Sequence, residues 1–198
     1  IPPVLGTLSY SYEPKNLWQW LIGKESLIIT VPVTEEGSGA DQITYEMTSK
    51  DGNTSSDTAE IKNNIAKIIV DADFKGTIRI TCTDKAGNIS AEKTANEGYN
   101  GFIIEGNAPQ IEFQTDSADI QDEYMTAPAI TVSITDDKDN AISSGIASVT
   151  YKIGNNAETV LQQDFATNMK TNTSFVIPAD KISAGETVII VTAIDNAG

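Results

Sequence analysis

The 198-residue chain has no histidine, a single cysteine and two tryptophans, and only 13 basic residues stand against 28 acidic ones. Histidine and cysteine are among the commonest general bases, nucleophiles and zinc ligands. Without histidine the usual catalytic triad is excluded, and the sequence has neither a glycine-rich phosphate loop nor a serine nucleophile elbow. We therefore expect a protein that is not an enzyme.

The acidic excess is spread over the whole chain, whose net charge is −15. A surface of this sign repels phosphate backbones and anionic lipid, so we expect no nucleic-acid partner. No apolar run approaches the ~20 residues of a membrane helix, so we expect no membrane insertion in this segment. The start, Ile1-Pro2-Pro3, lacks the pattern of a signal peptide. A cytosolic protein and a fragment of a longer exported protein both fit, and the lone cysteine agrees with either.

Self-similarity is the strongest signal in the sequence. Three blocks recur in the same order, pairing residues 29–36 with 130–137, 43–47 with 149–153, and 78–87 with 189–198. The two halves are therefore homologous modules, which we place at residues 1–106 and 107–198. The boundary falls where glycine and proline cluster, in residues 96–109.

The blocks alternate apolar and polar side chains, as strands with one buried face do. Cys82 lies on the apolar face and is expected to be a buried, inert thiol. Short strands separated by turn-forming clusters predict an all-β fold of two β-sandwiches. The expected strands are 5–12, 27–34, 42–49, 65–71, 77–83 and 89–94, then 110–115, 129–135, 147–153, 159–163, 174–177 and 187–194. By analogy with 89–94, the last strand of the second module is expected to be missing.

The turn Asp-Lys-Ala-Gly-Asn at residues 84–88 and its counterpart at 195–198 resemble the final hairpin of bacterial immunoglobulin-like repeats. The strand ending in Asp136 and Asp137, followed by Ser-Gly-Ile at 144–146, is similar to the same repeats. The resemblance implies two tandem immunoglobulin-like Greek-key β-sandwiches in an extracellular protein of the Gram-positive type, on the cell surface or secreted. It implies a non-catalytic stalk, spacer or adhesion module. The implied partners are neighbouring repeats of the same chain and a host protein or glycan.

One segment departs from such repeats. Residues Asn16 to Ile22 have helical spacing of apolar side chains, with Asn16 as a cap and Gly23 as a terminator, and they predict a short helix. In one interpretation the helix plugs the end of the first sandwich. In the other, Trp18 and Trp20 are a platform for stacking sugars, as in a carbohydrate-binding accessory region of a secreted glycoside-degrading enzyme.

An acidic loop offers oxygen ligands for calcium through Asp136, Asp137 and Asp139. It lacks the glycine and the closing glutamate of an EF-hand, so a solvated loop with no cofactor is the alternative. Calcium gains support if further carboxylates come close in space, the candidates being Asp122, Glu123 and Asp195.

A second candidate surface lies on the last strand of the second module. Val188, Ile190 and Ile194 are apolar where the first module has polar or charged residues. They predict an interface, with cover by a loop as the alternative.

Overall fold

The computed structural model describes residues 1–115, 128–137, 142–161, 163, 165, 169–183 and 185–198. Within them the secondary structure is β-strand apart from one 3₁₀ turn at Ala179–Lys181, so the predicted all-β class is confirmed. The chain divides into two compact units. Unit 1 is Ile1–Gly106 with Ala197, and unit 2 is Asn107–Asn196 with Gly198.

Unit 1 contains eleven strands in the described chain. They are β1 (Val4–Leu5), β2 (Ser9–Tyr10), β3 (Lys15–Leu17), β4 (Trp20–Lys24), β5 (Leu27–Thr34), β6 (Ala40–Ser49), β7 (Thr54–Glu60), β8 (Ile65–Val70), β9 (Phe74–Asp84), β10 (Lys93–Thr94) and β11 (Gly101–Glu105). In the smaller sheet β5 pairs with β1, β2 and β8, always antiparallel. The larger sheet has the order β3-β4-β11-β9-β6-β7, with β10 also paired to β9. Only the β4–β11 pair is parallel.

The two sheets of unit 1 share one apolar core. Every second residue of β5 is buried, from Leu27 to Val33, and these side chains join buried residues of β6 and β9 such as Ile43 and Ile80. Cys82 belongs to the same cluster and is fully buried, as the alternation of its strand predicts. Burial of each such aliphatic side chain is worth roughly 1.5–3 kcal/mol. The arrangement is consistent with a β-sandwich.

The predicted helix at Asn16 to Ile22 is wrong. The segment forms the hairpin β3–β4, in which Leu17 pairs with Trp20 across a two-residue turn. Trp18 and Gln19 both have positive φ, 49° and 65°, which is the backbone of a tight hairpin turn that glycine and asparagine usually supply. The sequence therefore carries none of the usual hairpin signal. The apolar run continues into β4, which is buried between its neighbours in the sheet, and a short apolar run suits such a strand as well as a helix.

Further strands of unit 1 differ from the sequence prediction. The strand expected at 5–12 is divided into β1 and β2. β7 was not predicted, because six of its seven residues are exposed and its side chains are mostly polar, so it shows no apolar face. The strand expected at 89–94 is reduced to β10. The neighbouring apolar run Phe102-Ile103-Ile104 instead forms β11, which lies between β4 and β9 and is fully buried.

Unit 2 has two three-stranded sheets in the described residues. Its strands are β12 (Gln110–Thr115), β13 (Ile130–Thr135), β14 (Ile146–Ile153), β15 (Thr159–Val160), β16 (Asn172–Ile177) and β17 (Ile189–Asp195). The orders are β12-β13-β16 and β15-β14-β17. Val132 and Ile134 of one sheet and Ile146 and Val149 of the other lie in a single core cluster. The six strands predicted for this module all appear, with ends shifted by a few residues.

The described part of the chain holds no helix with the length and hydropathy that crossing a bilayer requires.

Glycine is required at the centre of the larger sheet of unit 1. A Cβ on Gly76 would lie 2.0 Å from the carbonyl oxygen of Thr48, a distance that no real side chain shows. Gly76 pairs with Ser49 of β6 on one side and with Phe102 of β11 on the other. Backbone therefore surrounds the position, and a methyl group can enter only if the strands separate.

We expect Gly76→Ala to lower the free energy of unfolding of unit 1 by about 3 kcal/mol or more, because the sheet must distort to admit the methyl group. Urea denaturation followed by tryptophan fluorescence measures this, since both tryptophans lie in unit 1. Gly52→Ala is the control: its Cβ meets nothing within 4 Å and only its φ of 83° is unfavourable, so its cost should be about 1–2 kcal/mol. Equal losses in the two variants would contradict the packing argument.

Candidate functional site

In unit 1 an acidic side chain at the end of a strand holds the glycine that leads into the next strand. Glu35 follows β5, and its two carboxylate oxygens accept hydrogen bonds from the backbone N–H groups of Gly37, at 2.8 Å, and Gly39, at 2.5 Å. Gly39 has a φ of 90°, which glycine adopts readily. Its carbonyl oxygen accepts the N–H of Lys85, just beyond β9. We call this arrangement the acid–glycine clasp.

Next to the clasp of unit 1, the turn after β9 is built around Asp84. Its Oδ1 accepts the N–H groups of Ala86 and Asn88, and its Oδ2 accepts the side-chain amide of Asn88 at 2.7 Å. The side-chain hydrogen bond from Asn88, opposed by burial and aided by the backbone donors, lowers the pKa of the Asp84 carboxyl. The carboxylate is therefore well satisfied as an anion, in keeping with the structural role that its turn suggests.

Unit 2 repeats the clasp at the equivalent positions. Asp136, the counterpart of Glu35, accepts through Oδ2 the N–H of Gly145 at 2.8 Å and the hydroxyl of Ser143 at 2.5 Å. Gly145 has a φ of 84°, and its carbonyl oxygen accepts the N–H of Asn196 at 2.9 Å. The Asn196 side chain donates to the same carbonyl and to that of Ser144. The duplication therefore extends from the sequence to individual hydrogen bonds.

The two clasps differ in how fully the acid is satisfied. Asp136 is only 5% exposed, and no hydrogen-bond donor among the described residues reaches its Oδ1. Asp195, the counterpart of Asp84, is 6% exposed, and a carboxylate oxygen of each lies within 4.8 Å of the other. Burial raises the pKa of the Asp136 carboxyl, and the charges of Asp195 and Asp137 add to the rise although Ser143 and Gly145 oppose it. Unit 2 thus holds two buried carboxylates close together.

The predicted calcium ligands are only partly brought together. Asp136 is buried at the clasp and Asp137 beside it is half-buried. Asp139, Asp122 and Glu123 lie outside the described residues. Asp195, which the sequence offered only as a conditional partner, is the residue that lies next to Asp136. The sequence repeat could have identified Asp195, because Asp195 aligns with Asp84, and the turn that contains Asp84 contacts the clasp of unit 1.

The two tryptophans lie in the β3–β4 hairpin. Both are half-buried, Trp18 in the β3–β4 turn and Trp20 at the start of β4. The ammonium group of Lys75 lies 5.0 Å from the centre of the Trp20 ring, and a cation in this position interacts favourably with the aromatic face. One face of Trp20 is therefore already used within unit 1.

The apolar residues on the last strand of unit 2 are exposed. Val188, Ile190 and Ile194 have 59%, 53% and 46% of their surface accessible, so no loop among the described residues covers them. Ile190 and Ile194 lie on β17, and Val188 directly precedes it. β17 pairs only with β14 in the described chain, whereas its counterpart β9 is flanked on both sides. An interface at this face stays a prediction.

Comparison of the sequence with models of protein families finds no matching family, and comparison with curated proteins finds no match.

We expect unit 1 to lose stability in acid through Asp84. The folded state lowers the pKa of this carboxyl below the value of about 3.9 that it has in the unfolded chain. Its contribution to the free energy of unfolding is therefore fully present above about pH 3.9 and disappears as the pH falls through the lower pKa of the folded state. The free energy of unfolding, measured with urea and tryptophan fluorescence, should therefore fall more steeply between about pH 5 and pH 2.5 in the native chain than in Asp84→Asn. The same pH dependence in both proteins would show that another group is responsible.

Replacing exposed apolar residues of β17 by their counterparts in unit 1 should leave unit 2 folded. We expect the double variant Ile190→Arg and Ile194→Thr to change the free energy of unfolding by no more than about 0.5 kcal/mol, because the surface lost is already in contact with water. Chemical denaturation followed by circular dichroism provides the measurement. The buried neighbour Val149→Ala is the comparison, with an expected loss of about 2 kcal/mol or more. A large loss in the exposed variant would mean that this face is covered.

Proposed function

We propose that the chain is a non-catalytic structural module of an extracellular bacterial surface protein, built from two immunoglobulin-like Greek-key sandwiches that serve as a stalk or spacer. The observation that carries the proposal is the path of the chain through unit 1, which enters at one end of the module and leaves at the other. The duplication supports it, because repetition of a module adds length. Neighbouring repeats of the same protein are the expected partners.

The hydrogen bonds of β5 define this path. At the entry, Val4 pairs with Thr34, the last residue of β5. At the exit, the carbonyl oxygen of Glu105 accepts the N–H of Glu25, two residues before β5 begins. The entry and the exit are therefore separated by about the length of this eight-residue strand, roughly 26 Å. A pull on both ends of unit 1 passes along the module.

The exit strand is well placed to resist such a pull. β11 pairs over five positions with β4 and over three with β9, and all its residues are buried. Force applied beyond Glu105 acts on the end of this strand and loads its hydrogen bonds together, in shear. Hydrogen bonds loaded together resist more than bonds that open one after another, so the arrangement suits a load-bearing element.

The alternative of a carbohydrate-binding region depends on the tryptophans, and the contact between Lys75 and Trp20 gives it no support.

Single-molecule stretching of the full chain tests the proposal. With handles at residues 1 and 198, unit 1 should open in one discrete event that adds about 345 Å of contour length. Its 106 residues extend to about 370 Å at roughly 3.5 Å each, and roughly 26 Å already separates its folded ends. For comparison, the first handle is moved to Gly52 in the exposed β6–β7 turn. That turn lies at the exit end, because Lys50 donates to Lys75, which pairs with Ile103.

Loading from Gly52 should peel the strands one bond at a time, so unit 1 should open at a clearly lower force than with the terminal handle. Both proteins carry Cys82→Ala so that the handles attach at single sites, and alanine is the residue that unit 2 has at the matching position. Equal forces in the two geometries, or gradual extension without a discrete event, would overturn a load-bearing role.

A further inference from the structure

We propose that Asp136 and Asp195 form a calcium site within unit 2, with the buried Oδ1 of Asp136 as one ligand. The proposal is independent of the role as a spacer. It starts from the fact that this oxygen is enclosed and that no donor in the described residues reaches it, while the other oxygen of the same carboxylate is held by Ser143 and Gly145.

A buried carboxylate oxygen without a donor is costly. Removal from water is tolerated only when a hydrogen bond or an opposite charge replaces the solvent. Here a carboxylate of the same sign, that of Asp195, lies within 4.8 Å, and Asp137 adjoins along the chain. Two lysines of unit 2 have partners other than Asp136. Lys170 donates a hydrogen bond to Gln163, and Lys181 forms an ion pair with Asp180. A bound cation supplies the missing charge.

Unit 1 shows that the clasp can form without a buried carboxylate oxygen that lacks a hydrogen-bond donor. Both oxygens of Glu35 and both of Asp84 accept hydrogen bonds from nearby amides. The same fold therefore satisfies its acids with its own donors in one module and leaves an oxygen unsatisfied in the other. The difference is specific to unit 2.

The chemistry of the pair suits a hard divalent cation. Both residues supply carboxylate oxygen only, and neither sulfur nor imidazole is present to favour zinc or copper. Calcium accepts irregular sets of six to eight oxygen ligands, so two carboxylates can be completed by water. Magnesium demands a stricter octahedron and holds its own water more firmly. With so few protein ligands, we expect a dissociation constant on the order of 0.1–1 mM, typical of extracellular modules.

The full chain, stripped of metal by a chelating resin, is titrated with calcium chloride by calorimetry and by NMR of backbone amides. We expect saturable binding and shifts of the Gly145 and Gly198 amide signals, because these groups donate to the two carboxylates. At calcium a hundredfold above the dissociation constant, the melting temperature of unit 2 should rise by roughly 10–20 °C. Unit 1, followed by tryptophan fluorescence, should not respond.

Asp136→Asn and Asp195→Asn should each weaken binding at least about tenfold, whereas the matched variants of unit 1, Glu35→Gln and Asp84→Asn, should bind as the native chain does. Asparagine keeps an acceptor for Gly145, and in calcium-free buffer Asp136→Asn should melt no lower than the native chain, since it removes an uncompensated charge. The proposal would be overturned if no calcium bound at a concentration about tenfold above the expected dissociation constant. It would also be overturned if both unit 2 variants bound calcium as tightly as the native chain, or if the unit 1 variants lost as much calcium affinity as the unit 2 variants.

Discussion

The register of one antiparallel strand pair in each unit is the constraint on which the rest of the structure depends. In unit 1 β6 pairs with β9, and in unit 2 β14 pairs with β17. This register places alternate apolar residues in the core, and a shift by one residue would turn them all to the opposite face. It also fixes the loop at the end of the pair, where the clasp glycine meets the chain leaving the sheet. Core and clasp are therefore set together.

Much of the strand pattern could be predicted from alternation. The strand predicted at residues 27–34 has the observed bounds of β5, because a strand with one buried face shows its period plainly. β4 could not be predicted, since its apolar residues suit a strand buried in the middle of a sheet as well as a helix. Its turn places Trp18 and Gln19 in a backbone conformation that their residue types do not signal. β7 has almost no apolar residue to reveal it.

The candidate site was predictable in composition but not in geometry. The acids at the end of β13 stand out in the sequence, and the repeat aligns Asp195 with Asp84. The distance between Asp136 and Asp195 depends on a turn and a strand pair far apart in the chain, which no local pattern encodes. The unsatisfied oxygen is subtler still. In unit 1 the two donors bind different oxygens of Glu35, whereas in unit 2 Ser143 and Gly145 both donate to Oδ2 of Asp136.

The polar edge formed by β7 bears on how duplicated modules avoid exchanging strands. Homologous units in one chain are at high local concentration, and matching edges invite misfolding by domain swapping between neighbours. Here the corresponding edges have diverged. Unit 1 ends its sheet in seven mostly exposed residues that include Asp57 and Glu60, whereas β15 of unit 2 has two residues. The two modules therefore present different edges, which disfavours pairing between them, while they keep the same core pattern.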